Sequence, residues 1–527
     1  ITSLIWGMMA LTVLYILAYH HTKRAGLSAV VIGVFGLTRT IWIHQVIAEI
    51  YTFGLLIGAL LLLIALWKNP IRGRMYWLAF IGGIGVAHHR AIAMMIPALL
   101  FAMLPYFWEH RREMPKLVLI SLLLGCIGFV QYLYMYLRGV ADGAWVYGEP
   151  QTLEGVWIQF IGVEASRFIG TPSTPNGLRQ NFELVNSVLR LDVTTGALIG
   201  GLLIGLIHHR KFAVVMILNG LAAYLFHVFF YTDILSALIL PVLISLAWGW
   251  LLVGDFGMRL MDDGKMWEAV PDFWKILVLG VFIGIGANLF RVHQPFIHDI
   301  TTNTDGIKTI NTLKHAPEDS VVMVTWGPNH FAAGIGRDLT GELAHLDLVD
   351  HKADYAQILA DNKRLITPDY TIYTQPPAWW EERIGRIYPV AVAPNVVEIK
   401  TTPTRADNPP TDGVIAQDYR VVCDGDDRHL YVTWVTADVP TEDLSVFVHG
   451  LSDDGNLIAQ GDQPAPVYLW RPMTTWVAGE VVTDVYPLVY RPNAQRNIHT
   501  VRFGLYRILN TGFKNVVEYK TAVDCEG

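Results

Sequence analysis

The chain has 527 residues, of which 53% are apolar and 16% charged, with a formal net charge of −7. Soluble domains carry about 25% charge and disordered chains combine low hydrophobicity with high charge, so the composition excludes both a single soluble globule and a disordered chain. Residues 1–293 hold 20 Lys+Arg against 15 Asp+Glu, a net of +5, while the remainder holds 19 against 31, a net of −12. A long apolar part that is basic only at its punctuation, followed by an acidic polar part, reads as a membrane domain joined to a soluble region. The acidic half argues against nucleic-acid binding.

In chain order, the first part offers ten apolar segments. Ile1–Tyr19, Ile50–Trp67, Ala91–Trp108, Leu117–Leu137, Phe212–Thr232 and Ile234–Gly254 carry no Lys, Arg or Glu and approach the ~20 residues of a spanning helix; Asp233 falls just between the last two. Ala25–Leu37, Met75–Ala87, Val193–Ile207 and Ile276–Phe290 are shorter or weaker. Ile1 lies inside an apolar run with no Met, n-region or cleavage pattern before it, so the chain reads as lacking its N-terminal part.

The gaps alternate in charge. Residues 20–24, 68–74, 109–116, 208–211 and 255–275 hold 13 Lys+Arg; residues 39–49, 88–90, 138–190 and 232–233 hold 6. The positive-inside rule makes the first set cytoplasmic and places everything after Arg291 outside.

Residues 294–400 read as a small α/β domain: Ser320–Thr325 as a buried strand before the Trp326–Pro328 turn, Tyr355–Asn362 as a helix, Tyr370–Tyr373 as a strand, and Pro377–Arg383 as a helix start. Thr401–Asp412 is a Pro-rich linker. Residues 413–527 alternate at period two, with strands at Tyr431–Val435, Leu444–His449 and Val501–Tyr506 and turns at Asp453–Gly455 and Asn510–Gly512, the pattern of a β-sandwich, which with the linker makes a last domain of residues 401–527. Cys423 and Cys525 both fall there and are a candidate disulfide in an oxidising compartment.

The polar residues of the sparsely charged gaps are the candidate site. Trp42, Gln45 and Glu49 share one face if the helix runs through them, and a carboxylate at a helix-bundle mouth needs a role or a partner. Glu49 is the candidate base or polar anchor, the alternative being a pair with Arg39. His88, His89 and Arg90 suit a phosphate, or simply cap the interface. Arg138, Trp145 and Tyr147 mix a cation with aromatic faces suited to a sugar or headgroup, or form an ordinary interfacial belt. Tyr231 and Asp233 form a further cluster, Asp233 reading most simply as an N-cap. His345, Asp347, Asp350 and His351 are too irregular for a metal site. Gly334-Ile335-Gly336 lacks the third glycine of a nucleotide loop, and no Walker, GxSxG or HExxH motif is present.

Four blocks, WIHQVIAEIYTF (Trp42–Phe53), GIGVAHHRAIAMMIP (Gly83–Pro97), YLYMYLR with WVYGEPQTLEG (Tyr132–Gly155) and YTDILSALILP (Tyr231–Pro241), resemble in order and spacing the membrane glycosyltransferase family long labelled domain of unknown function 2723. That family includes the transmembrane-protein-260-like O-mannosyltransferases and is grouped with the GT-C enzymes. The resemblance spans about residues 1–400; the tail resembles the β-sandwich appended to large bacterial membrane glycosyltransferases. It implies a GT-C-like multi-pass α-helical membrane domain followed by a small α/β domain and a C-terminal β-sandwich, in a bacterial inner membrane with the last two extracytoplasmic. It implies transfer of a sugar, mannose among the candidates, from a polyprenyl-phosphate-linked donor to a protein or glycan acceptor. By match to the family blocks, Gln45 and Glu49 fall on the helix-mouth block. His88 and His89 fall on a Gly-His-His-like segment that here reads Ala87-His88-His89. Trp145 and Gly148 fall on a Trp-Gly block that here reads Trp-Val-Tyr-Gly. The family's first-loop Asp-Ser-Gly-Glu-like and His-Pro-Pro-Gly-like stretches are absent, so the resemblance places the principal acid upstream of Ile1 and leaves any divalent metal open. The rival reading is a non-enzymatic transporter or flippase of a lipid-linked sugar. Against it stand the lack of an internal repeat and the gathering of polar residues at one boundary rather than the midplane.

Overall fold

The computed structural model describes residues 2–47, 50–141, 150–162, 175–192, 195–230, 240–263, 271–492, 494, 496–509 and 512–525. The chain forms two compact units, Ile1–Thr302 and Asn303–Gly527.

The first unit is helical: α1 (Thr2–Thr22), α2 (Ala25–Gly36), α3 (Arg39–Val46), α4 (Tyr51–Leu66), α5 (Arg74–His88), a 3-10 turn (Arg90–Met95), α6 (Ile96–Glu109), α7 (Met114–Ile127), α8 (Val130–Val140), α9 (Leu153–Ile161), α10 (Pro175–Asp192), α11 (Thr195–His208), α12 (Arg210–Phe230), α13 (Leu240–Asp263) and α14 (Pro271–Thr302). Over its described residues, each of the ten apolar segments falls on one or two of these helices. Among the described residues, six helical stretches are long and apolar enough to cross a membrane, seven if α2 and α3 count as one bent span; α4 is a shorter apolar helix. On α7 the buried residues are Leu117 and Ser121, while Leu119, Leu122 and Leu123 are exposed. An apolar outside around an intrahelically bonded backbone is what a lipid-facing helix presents. The chain is a multi-pass membrane protein by these criteria. The long gap from Arg138 to Arg190 is not bare loop, since it carries α9 and α10.

Helix contacts fix direction. α1 and α4 run parallel: Trp6 meets Phe53 at one end (5.0 Å) and His20 stacks on Trp67 at the other (4.0 Å). α5 returns from the His20 end, where Arg74 donates to Trp67 O (2.8 Å), to the Phe53 end, where His88 meets Phe53 (4.9 Å). α14 ascends the same way, its Phe290 stacking on Trp42 (5.4 Å) and its Phe296 lying 4.2 Å from the Arg39 guanidinium. α5 and α7 pack backbone to backbone, since a Cβ on Gly83 would lie 2.2 Å from Gly125 O. Helices in lipid associate through such small-residue seams.

The second unit opens with α15 (Asp305–Lys314), then β1 (Ser320–Met323), α16 (Pro328–Asp338), β2 (Leu346–Val349), α17 (Tyr355–Ala360), β3 (Arg364–Pro368), a 3-10 turn (Asp369–Tyr373), α18 (Pro377–Ile384), β4 (Val390–Ala393) and β5 (Val396–Glu398). The sheet order is β2-β1-β3-β5-β4, with β1 parallel to β2 and β3, and β5 antiparallel to β3 and β4. The strand expected at Tyr370–Tyr373 is instead this 3-10 turn; the strand is β3, whose Leu365–Pro368 are buried while residues 369–373 leave the sheet.

A two-sheet sandwich follows: β6 (Val414–Asp424), β7 (Asp427–Thr436), β8 (Ser445–Leu451), β9 (Leu457–Gln460), β10 (Val481–Pro487), β11 (Val489–Tyr490), β12 (Thr500–Leu509) and β13 (Gly512–Ala522), ordered β10-β7-β6 and β11-β9-β8-β12-β13. Trp434, Trp470 and Trp476 are at most 2% exposed and fill its core, so none offers a ring to a surface sugar. The α/β and sandwich parts share this core: Trp470 Nε1 donates to Asp369 O (3.0 Å) and Asn395 N to Tyr468 Oη (2.8 Å). Asp484 is fully buried and accepts from Val467 N, Val485 N and the Tyr486 hydroxyl. With no cation among these partners, desolvation pushes its carboxyl up to about 7. Cys423 and Cys525 are disulfide-bonded across 102 residues, with Cα atoms 5.7 Å apart.

Candidate active site at one end of the helical unit

The site is built on a break in the chain. α2 stops at Gly36, and Thr38, extended at φ −62° and ψ 146°, restarts the helix as the N-cap of α3. Its hydroxyl is spent on Phe35 O (2.7 Å), and α3 leaves at 70° to α2. This turns Trp42, His44 and Gln45 across the bundle end rather than along it. α3 ends at Val46, with Ile47 extended, so the one-face alignment expected from Trp42 through Gln45 to Glu49 does not extend past Gln45. Trp42 goes to Phe290 of α14, whereas Gln45 goes to α1, where a Cβ on Gly7 would lie 2.7 Å from its Cγ.

The start of α4 and the end of α5 close on the same place. Tyr51 meets His44 (4.8 Å) and His89 (5.6 Å) edge-on. His88 donates from Nε2 to Ile50 O (2.9 Å). His89 is extended and caps the following 3-10 turn, its Nδ1 accepting from Ala91 N (3.3 Å). Tyr132 of α8 donates to Ala87 O (3.1 Å), which seats α8 against the end of α5. The Arg90 guanidinium donates to Ile161 O at the C-terminus of α9, a position that favours a cation. Arg138 is exposed at the end of α8.

Glu49, Trp145, Tyr147, Gly148, Tyr231 and Asp233 lie outside the described residues. Arg39 sits over the Phe296 ring. Thus His88 and His89 meet the start of α4, Tyr51 links His89 to His44, Gln45 packs on α1 and Trp42 on α14, and Arg90 is tied to α9.

The convergence has unused capacity. His44 is 7% and Gln45 9% exposed, and among the described residues neither His44 ring nitrogen nor Gln45 Nε2 has a hydrogen-bond partner; nor has the Thr52 hydroxyl, 1% exposed. Buried polar groups are almost always paired, and each one left unpaired costs about 1–3 kcal/mol. A polar ligand group entering here would recover that cost. Sequence reasoning passed over His44; its signal was a histidine within the block that carries Gln45 and Glu49.

It also passed over a cluster at the opposite end. Asp255 of α13, 1% exposed, accepts from Arg24 Nε (3.0 Å), His209 Nε2 (3.0 Å) and Arg259 Nε (2.7 Å). Its partners lie in the gaps that the charge count grouped together, and that grouping was the available signal. This carboxylate is fully engaged and joins α13 to the chain after α1 and before α12. Among the described residues no group of three His, Cys, Asp or Glu is placed to hold a metal.

The chain matches no protein-family model and no curated protein significantly. Among solved structures it is similar to ArnT from Cupriavidus metallidurans bound to undecaprenyl phosphate, at 11% identity and a TM-score of 0.47 over 75% of this chain and 82% of that one. The same protein in the apo state gives 12% identity and the same TM-score and coverage.

Proposed function

We propose that the protein is a membrane glycosyltransferase of the GT-C type, related to the O-mannosyltransferases its sequence blocks resemble. It moves a sugar, mannose in this reading, from a polyprenyl-phosphate-linked donor to a protein or glycan acceptor on the extracytoplasmic face. The observation that carries this reading is the meeting of two resembling blocks, through His44, Ile50, Tyr51, His88 and His89, at one end of the bundle where, among the described residues, His44, Gln45 and Thr52 keep buried polar atoms unpaired. A lipid-linked donor keeps its tail in the bilayer and presents phosphate and sugar at this depth. Sidedness is supported by the positive-inside count, by α14 ending at this same end, and by the Cys423–Cys525 disulfide, which suits an oxidising compartment.

In this reading Glu49 orients the acceptor hydroxyl or takes its proton, a general-base role. His88, His89, Arg90 and Arg138 hold the donor phosphate, and Trp42, Trp145, Tyr231 and Asp233 border the sugar. The test is sugar transfer by the protein in liposomes holding a polyprenyl-phosphate-linked mannose and a peptide or glycan acceptor. Glu49→Ala and Arg138→Ala are each expected to lower turnover about 100-fold. Unchanged turnover in both overturns the assignments, and movement of the labelled lipid across the bilayer without transfer selects the flippase reading instead.

A further inference from the structure

The strand-rich unit carries a second feature. From β1 the chain passes through α16 to β2 on one side, then through α17 to β3 on the other side of β1. The connections after β1 and β3 therefore part, which is the topological switch at which open α/β sheets bind ligands, outside the carboxyl ends of the strands. A cleft of about 630 Å³ lies there, within the usual size of ligand sites. Its walls include Asn329 in the first turn of α16, Asp369 and Tyr370 just after β3, Asn395 in the β4–β5 turn, and Thr309 and Asn311 of α15.

No Ala, Val, Leu, Ile or Met is among the residues that line this cleft, and Tyr370 is its one aromatic residue. Asp369, with Asp305 at the rim, disfavours an anion; the rim's Lys308 is already paired with Asp305 (3.1 Å). What remains is a set of side-chain amides and hydroxyls with one carboxyl group, able to donate and accept at neighbouring points, which is what vicinal hydroxyls require. The walls are braced: Tyr370 Oη lies 3.4 Å from Thr309 Oγ1, and Asn395 O accepts from Asp369 N (2.9 Å). Asn395 itself is left-handed at φ +59°, which asparagine tolerates better than most residues.

We propose that this switch-point cleft binds a neutral saccharide unit through the Asn311, Asn329 and Asn395 amides, the Asp369 carboxyl group and the Tyr370 ring and hydroxyl. Burial pushes the Asp369 carboxyl up to about 6, so it is able to donate as well as accept over the mildly acid range. The proposal rests on the cleft alone, and binding, not transfer, is its readout, so it stands or fails separately from the glycosyltransferase reading.

The test is calorimetric titration of the detergent-solubilised full chain with mannobiose, maltose and chitobiose, and with mannose beside mannose phosphate. At least one neutral disaccharide is expected to bind. Asn311→Leu, at an exposed position on α15, and Tyr370→Phe are each expected to weaken it about tenfold at an unchanged unfolding temperature. Absence of binding by all three disaccharides overturns the proposal. So does binding that neither variant alters, and so does preference for mannose phosphate over mannose.

Discussion

The two ends of the helical unit bury polar groups in opposite ways. At one end Asp255 has three cationic or imidazole partners within 3.0 Å. At the other, His44, Gln45 and Thr52 are equally withdrawn from solvent yet have unpaired polar atoms among the described residues. A saturated buried carboxylate fastens helices; an unsaturated cluster costs stability until something enters. Polar burial alone therefore does not mark a site in a membrane bundle. Single unpaired atoms such as His21 Nε2 and Trp248 Nε1 occur elsewhere in the bundle; what sets the proposed end apart is their concentration on His44, Gln45 and Thr52 among the described residues.

The largest expected effect probes the saturated end. Asp255→Ala leaves Arg24 and Arg259 facing each other without their anion. Removing one partner of a fully buried pair costs about 3–5 kcal/mol. Arg259 is 42% exposed, so solvent screening reduces the expected loss to about 2–3 kcal/mol, read as a lower unfolding temperature of the detergent-solubilised protein. A loss of turnover at unchanged stability would reverse the roles of the two ends.

Next comes His44→Phe at the other end. It removes two unpaired nitrogens from a buried position, so stability should hold or rise by up to about 1 kcal/mol, while turnover falls about 100-fold. Destabilisation with turnover intact would make this end structural as well. The smallest effect concerns Asp484, a buried carboxyl group without a cation. Its folded value near 7 lies above the ordinary 3.8, so the stability it contributes is complete below about pH 4 and is lost as pH rises through 7. Between pH 6 and 8 the strand-rich unit should lose about 1 kcal/mol from this group, and Asp484→Asn should flatten that slope in thermal unfolding followed by near-UV circular dichroism. An unchanged slope would remove the contrast with Asp255.

Much of the helical fold was legible because a bilayer tolerates so few charges. The apolar runs fell on helices, and the gaps grouped by basic content meet in space: His20 accepts from Lys68 N (3.2 Å), and Arg24 and His209 share Asp255. The bend at Thr38 was not legible, since a threonine at a helix break inside an apolar stretch looks like any other small polar residue. Nor was the Asp255 cluster, in which Arg24 and Asp255 lie 231 positions apart. At the candidate site, Gln45, His88 and His89 stood out as polar residues in quoted blocks. His44, whose ring nitrogens have no partner among the described residues, did not, because pairing is a property of three-dimensional neighbours. In the strand-rich unit, period-two alternation located β7, β8 and β12, but Tyr370–Tyr373 has the composition of a strand and leaves the sheet at Pro368.

The Cys423–Cys525 bond has a topological consequence. It joins the end of β6 to the segment just after β13 and so turns nearly the whole sandwich into one covalent ring. A protease that severs a single peptide bond within that ring opens it without releasing a fragment, and the severed halves stay paired edge to edge. A single nick within the ring therefore becomes visible as two pieces only after thiol reduction.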